Sequence, residues 1–290
     1  MLAFIESLLA LPSIRTALVI GSLVAVTSGA VGVFVVLRGQ SFAGHALGDI
    51  GTTGAAAAYL GGVPPLYGFI GVGVLGGLAI QGLGERARER DVATGIVLSL
   101  MLGIGALLLY FMTQRVNPTG GPVGILFGSI FTVDPGVTGP VALFSLLALA
   151  LLAFLYRPLV FASVNPQAAH ARGVPLGAVG ILFMLALAIA VEESALVAGA
   201  LLSTALLIGP AAAAVRWARH IGQAVLLSAL LGLAAVVLGI ALAFESYLWP
   251  PAQRGWPVSF FIVMLVLLEY LLSRIGRRSP RRAITERKAL

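Results

Sequence analysis

Arg38-Gly-Gln-Ser-Phe-Ala-Gly-His45-Ala-Leu-Gly-Asp49 is the polar seam between two long apolar runs, Ile14 to Leu37 and the stretch from Ser41 to Gly61–Gly62. A membrane-spanning helix needs roughly 20 predominantly apolar residues, and both runs are long enough. His45 and Asp49 are four residues apart, so on a helix they share one face, one turn apart. An imidazole and a carboxylate so placed can grip a divalent cation, or simply pair with each other. Ionisable residues set among Gly, Ala, Leu and Val, which cannot hydrate a charge, are by default candidates for a functional site.

The same reading extends over the whole chain. Of its 290 residues, 59% are hydrophobic and 10% charged, and mean hydropathy is +1.05. Soluble domains carry about 25% charged residues. The expectation is an all-α polytopic integral membrane protein. Its 36 glycines suit helices that pack closely through small residues. With no cysteine, disulfides and thiolate metal sites are excluded. A pI near 10.5 needs no nucleic acid to explain it, because the basic residues sit in loops and in the tail.

About nine spans are expected, with eight to ten possible. They run near Ile14–Leu37, Ser41–Gly61, Leu66–Leu83, Val92–Met112, Val137–Tyr156, Gly177–Val191, Ala195–Val215, Ala224–Phe244 and Val258–Leu272. Residues 1–13 form an interfacial segment, 14–275 the transmembrane domain and 276–290 a basic tail. The charge run Glu85–Asp91 reads as a solvated loop, and Gly124–Gly128 as a re-entrant or interfacial piece. Alternating the spans puts 15 of the 18 Lys and Arg residues on one side. That side is then cytoplasmic, with the N-terminus outside and the C-terminus inside.

Asn165-Pro-Gln-Ala-Ala-His-Ala-Arg-Gly173 lies in the longest polar interval. Asn165 reads as an N-cap, Pro166 as the first helical residue and Gly173 as the stop. A short cytoplasmic helix is expected at about 163–175. Glu192–Glu193 follows the sixth span and reads either as a pair at the outer water boundary or as an acidic entrance that attracts cations. Asp134 and Glu245 have weaker claims on the same side. Glu269 reads as a snorkelling carboxylate or as the partner of Arg274. His170 and His220 are ordinary loop residues. No Gly-x-Ser-x-Gly, His-Glu-x-x-His or Walker A pattern occurs, so neither catalytic residues nor a resident cofactor are expected, and no ATP site of the chain's own.

These blocks, in this order, resemble the permease subunits of the ABC-3 family of metal-ion ABC transporters over residues 14 to 275. Gly32-Val-Phe-Val-Val-Leu-Arg38 through Asp49 is similar to the family's first block. Thr94-Gly-Ile-Val97, Leu126-Phe-Gly-Ser-Ile130, Asn165–Gly173 and the small-residue stretch Ala198–Ala213 resemble the later ones. One departure stands out: His45 sits where the family usually has Asp, and Asp49 where it has His.

The resemblance implies an importer of zinc, manganese or iron in the cytoplasmic membrane of a prokaryote. It implies a transient metal site at His45 and Asp49, whereas Glu192 and Glu193, the weaker outer-entrance candidates, are a second departure from the family's pattern. It further implies ATPase coupling through Asn165, Pro166, Gln167, Ala169, Arg172 and Gly173. The implied partners are cytoplasmic ATP-binding subunits, a second permease copy or homologue, and an extracytoplasmic metal-binding protein. ATP would be hydrolysed in the partner subunit. Two other classes fit the composition: an ion-coupled secondary transporter, which would work without an ATPase, and a membrane scaffold, which would leave the His/Asp pair idle.

Overall fold

In the computed structural model, residues 11–84, 87–115, 125–126, 130–249 and 255–275 are described, and all regular structure among them is helical. Nine helices have 18 residues or more: α1 (Pro12–Leu37), α2 (Ser41–Leu60), α3 (Pro65–Leu83), α4 (Ala87–Arg115), α5 (Thr138–Val164), α7 (Leu176–Ala198), α8 (Ala200–Trp217), α9 (Ile221–Glu245) and α10 (Val258–Ile275). Between α5 and α7 lies the short helix α6 (Pro166–Ala171). Seven of the long helices have the length and apolar composition to cross a bilayer. The chain is a multi-pass membrane protein. Helix α2 is outside those seven because His45, Asp49, Thr52 and Thr53 dilute its apolar content.

Burial sorts the bundle. In α1 and α7, 72% and 78% of the membrane-length window is buried, against 22% in α4 and α5. Helices α1 and α7 are therefore the axis, and α4 and α5 are the rim. Around this axis pack α8 and α9 against α1, and α3 and α8 against α7. The core is two large apolar clusters. One gathers Ile20, Val24, Ile189, Leu206, Val236 and Ile262. The other gathers Phe34, Leu47, Ile50, Ile80, Phe183 and Leu187. Fully burying each such side chain contributes about 1.5–3 kcal/mol relative to exposure in water, but within lipid close packing decides which helices touch.

Glycine permits the closest crossing. A Cβ added at Gly54 of α2 would run into the Gly68 carbonyl of α3, and one at Gly68 into the Gly54 carbonyl. The two backbones are thus in direct contact.

Several expectations need adjusting at their edges. The charge run is part helix, since α4 begins at Ala87. Helix α5 continues past Tyr156 through Pro158 to Val164. Helix α7 does not stop at Val191: it carries Glu192 and Glu193 inside it and ends at Ala198, where Gly199 takes φ +84. Adjacent glutamates are good helix formers and do not end a helix unless water competes for them. A glycine at positive φ does break the run. Helix α6 is built as its sequence says: the Asn165 side chain accepts a hydrogen bond from Ala168 N at 2.9 Å, and Gly173 sits at φ +79. Residues 1–10, most of Asn117–Pro135 up to Ser129, and the tail from 276 lie outside the described residues.

Gly54→Ala should destabilise the α2–α3 crossing by about 1–3 kcal/mol through overpacking. Thermal unfolding of the purified protein in detergent, compared with Gly71→Ala where no neighbour stands within 4 Å of the added carbon, measures it.

Candidate functional site

His45 and Asp49 lie one turn apart on α2, with His45 Nε2 at 3.7 Å from Asp49 Oδ2. That is too long for a good hydrogen bond. It is a spacing that two ligand atoms, each about 2.0–2.2 Å from one ion, can adopt. The His45 side chain is 47% exposed and that of Asp49 is 17% exposed. Both can therefore be reached from outside this single chain.

The other ring nitrogen, His45 Nδ1, lies 3.0 Å from Thr204 Oγ1 on α8. If Nδ1 carries the hydrogen and donates to Thr204, Nε2 keeps its lone pair on the Asp49 side. Outer partners of this kind fix the tautomer of a metal-binding histidine. Thr204 reaches His45 because α2 has no side chain in the way: a Cβ at Gly48 would meet Ser203 Oγ, and one at Gly44 would meet Leu207. Sequence reasoning gave Thr204 no role, although Ser203 and Thr204 are the only hydroxyl residues of α8.

Glu192 and Glu193 are fully buried in α7, not at a water boundary. The structure shows why hydropathy misplaces them: each carboxyl is sheltered by neighbouring helices. Successive residues on a helix point about 100° apart, so they face different neighbours. The Glu192 carboxyl lies in a slot between α2 and α3, where a Cβ at Gly51 or at Gly73 would strike it. Neither of its oxygens has a hydrogen-bond partner, and it lies close enough to Asp49 to interact with it electrostatically. Glu193 turns toward α5, where Ser145 Oγ donates to Oε2 at 2.9 Å and Oε1 has no partner. Beside it, Ser194 Oγ and Ser28 Oγ are 2.8 Å apart, and Ser28 Oγ donates to the Ala190 carbonyl at 3.2 Å.

The structure thus places His45 and Asp49 on one face of α2, sets the Glu192 carboxyl against Gly51 within electrostatic reach of Asp49, and sends Glu193 elsewhere. Among the described residues, no three His, Cys, Asp or Glu side chains converge closely enough to hold a metal ion. The capped α6 stands apart, at the end of the bundle where α5 ends and α7 begins.

A bundle of membrane-length helices with polar groups gathered inside it and a His–Asp pair open at its flank describes a multi-pass membrane protein. The chain belongs to the ABC 3 transport family, whose profile matches residues 10–270. It is 31% identical over 242 residues to the manganese transport system membrane protein MntC of Halalkalibacterium halodurans, covering 82% of this chain and 80% of that one. It is 30% identical over 246 residues to the manganese import system permease protein ScaB of Streptococcus parasanguinis, covering 83% and 85%. The fold matches a chain of PsaBC from Streptococcus pneumoniae in complex with Fab, with TM-score 0.77, 26% identity and coverage of 99% and 100%.

An unpartnered buried carboxyl costs about 1–3 kcal/mol. Glu192→Met, which keeps the unbranched shape, should therefore unfold at a higher temperature than the native protein. A lower melting temperature in detergent would show that the carboxyl has a stabilising partner.

Proposed function

We propose that this chain is the membrane-spanning permease subunit of an ATP-binding-cassette importer, and that it carries a divalent metal cation across the cytoplasmic membrane of a prokaryote. The observation that carries this reading is the His45–Asp49 pair. Two ligand atoms lie 3.7 Å apart, open to the exterior of the chain, with Thr204 holding the imidazole from behind. Membership of the transport family supports it, and so do the manganese names of the relatives.

The proposed cargo is manganese first, then zinc or iron. One imidazole and one carboxylate suit all three, and each further oxygen donor favours the harder manganese. Two ligands hold an ion weakly, which a permease requires, since it must release what it binds. A second copy or close homologue facing the exposed His45 would double the set. Glu192 supplies a further carboxylate toward the C-terminal end of α7, and is read as a transit ligand reached when the α2–α3 slot opens. Glu193 is read as a structural carboxyl held by Ser145 rather than as part of an entrance.

In this reading an extracytoplasmic binding protein delivers the ion, the N-terminus lies outside and the tail inside. Two ATP-binding subunits dock on α6 through the surface around Asn165, Pro166, Gln167, Ala169, Arg172 and Gly173. ATP is hydrolysed in those subunits. The permease converts their closure into alternating exposure of the pair.

In proteoliposomes with the ATP-binding subunits, His45→Ala combined with Asp49→Ala should lower manganese uptake at least 100-fold while the subunits still co-purify. Normal uptake by this variant would overturn the site. Asn165→Ala removes a cap worth about 1 kcal/mol. It should weaken co-purification of the ATP-binding subunits and leave manganese binding by the permease unchanged.

A further inference from the structure

The end of the bundle that carries α6 holds a cavity of about 510 Å³. Its wall includes Arg38 after α1, Gln81 near the end of α3, Arg90 in the first turn of α4, Pro166 of α6, and Leu176 and Ile181 of α7. Two guanidinium groups therefore line one space. Neither has a carboxylate within ion-pair distance among the described residues. Arg90 Nη1 makes only a long, 3.5 Å hydrogen bond to Gln81 Oε1. Arg38 stacks over the Phe183 ring at 5.3 Å, and its Nε is buried with no acceptor. Exposed Asp91 lines a smaller adjoining cavity with both arginines but is at ion-pair distance from neither.

Two like charges held beside one cavity repel unless something anionic lies between them. Burial pulls the Arg38 guanidinium down to about 10, and the charge of Arg90 adds to the effect. Arg38 is still cationic at neutral pH, so the deficit is one of negative charge. A guanidinium fork matches the oxygens of a phosphate.

The rest of the wall says what carries the phosphate. Leu176 and Ile181 give it an apolar flank, and Ile181 is 46% exposed on the outer face of α7. Leu83 and Val164, at the same end, are 66% and 73% exposed. A free anion gains nothing from such a flank, whereas an acyl chain does. Basic pockets between helices at the cytoplasmic boundary bind anionic headgroups in this way.

We propose that this cavity binds the phosphate headgroup of an anionic phospholipid between Arg38 and Arg90, with the acyl chains lying along Ile181. The site is distinct from the His45–Asp49 pair and does not depend on which metal is carried. It joins the ends of α1, α3, α4 and α7 to the first residue of α6, so an occupied site ties α6 to the bundle.

Native mass spectrometry of the full-length permease in detergent, titrated with phosphatidylglycerol, phosphatidylcholine or inorganic phosphate, tests this. Each arginine near a headgroup is worth about 5-fold in affinity, so Arg90→Gln should lose about 5-fold and Arg38→Gln with Arg90→Gln about 25-fold for phosphatidylglycerol. Arg38→Lys with Arg90→Lys, which keeps both charges but not the forks, should lose clearly less than the double Gln variant, which separates lost charge from lost fold. Unchanged phosphatidylglycerol affinity in Arg90→Gln, a protein with a single peripheral change, would overturn the proposal. Equal affinity for phosphatidylcholine would overturn it too. Displacement of phosphatidylglycerol by millimolar phosphate would assign the cavity to a free anion instead. Intact lipid binding but lost co-purification of ATP-binding subunits in the double Gln variant would assign it to a partner's carboxylate.

Discussion

The closeness of α2 to its neighbours is the constraint on which everything else rests. At Gly54 and Gly68 two backbones touch, and at Gly51 and Gly73 the missing side chains leave a slot for the Glu192 carboxyl. In lipid, helices gain little by hiding apolar surface from one another, because the alternative environment is equally apolar. Contact area and polar pairing decide the arrangement instead. Glycine maximises the contact area and leaves room for polar groups where the bilayer would exclude them. A single methyl at Gly51 would fill the space that the Glu192 carboxyl occupies.

From that packing follows the chemistry. Helix α8 comes close enough to α2 for Thr204 to reach His45. Helix α7 brings Glu192 toward Asp49, while Glu193 turns to Ser145. One residue of offset along α7 gives one glutamate a hydrogen-bond donor and the other none. The paired residue is the better candidate for holding structure, and the unpaired one for meeting an ion. An unpaired buried carboxyl is expensive, and it is tolerable where a cation passes. At the other end of the molecule, Arg38 and Arg90 line one cavity, and the buried Arg38 Nε, like the Glu192 oxygens, has no hydrogen-bond partner.

Much of the fold was legible in the chain. Among the described residues nine long helices stand where apolar stretches were expected, and seven of them have the length and apolar content that a bilayer accepts. The capped α6 was legible for a different reason: Asn165, Pro166 and Gly173 act on their own backbone, and local chemistry survives any tertiary setting. His45 and Asp49 were legible because their spacing alone puts them on one face. Glu192 and Glu193 were not. A pair of charges after an apolar run reads as the end of a span, since hydropathy averages over a window and knows nothing of the helix opposite. Thr204 was missed because a threonine among alanines and leucines carries no signal until something is placed against it.

The sequence by itself determined what is local: the helices, their ends at Asn165 and Gly173, the membrane as solvent, and the one-turn spacing of His45 and Asp49. Only the tertiary structure decided which polar groups meet. It sheltered Glu192 behind Gly51 and Gly73, gave Glu193 to Ser145, set Thr204 behind His45, and brought Arg38 and Arg90 to one cavity. The reason is that helix formation depends on residues within a few positions of one another. The partner of such a polar group is fixed by contacts between segments far apart in the chain, 48 residues for Ser145 and Glu193 and 159 for His45 and Thr204, which no local pattern encodes.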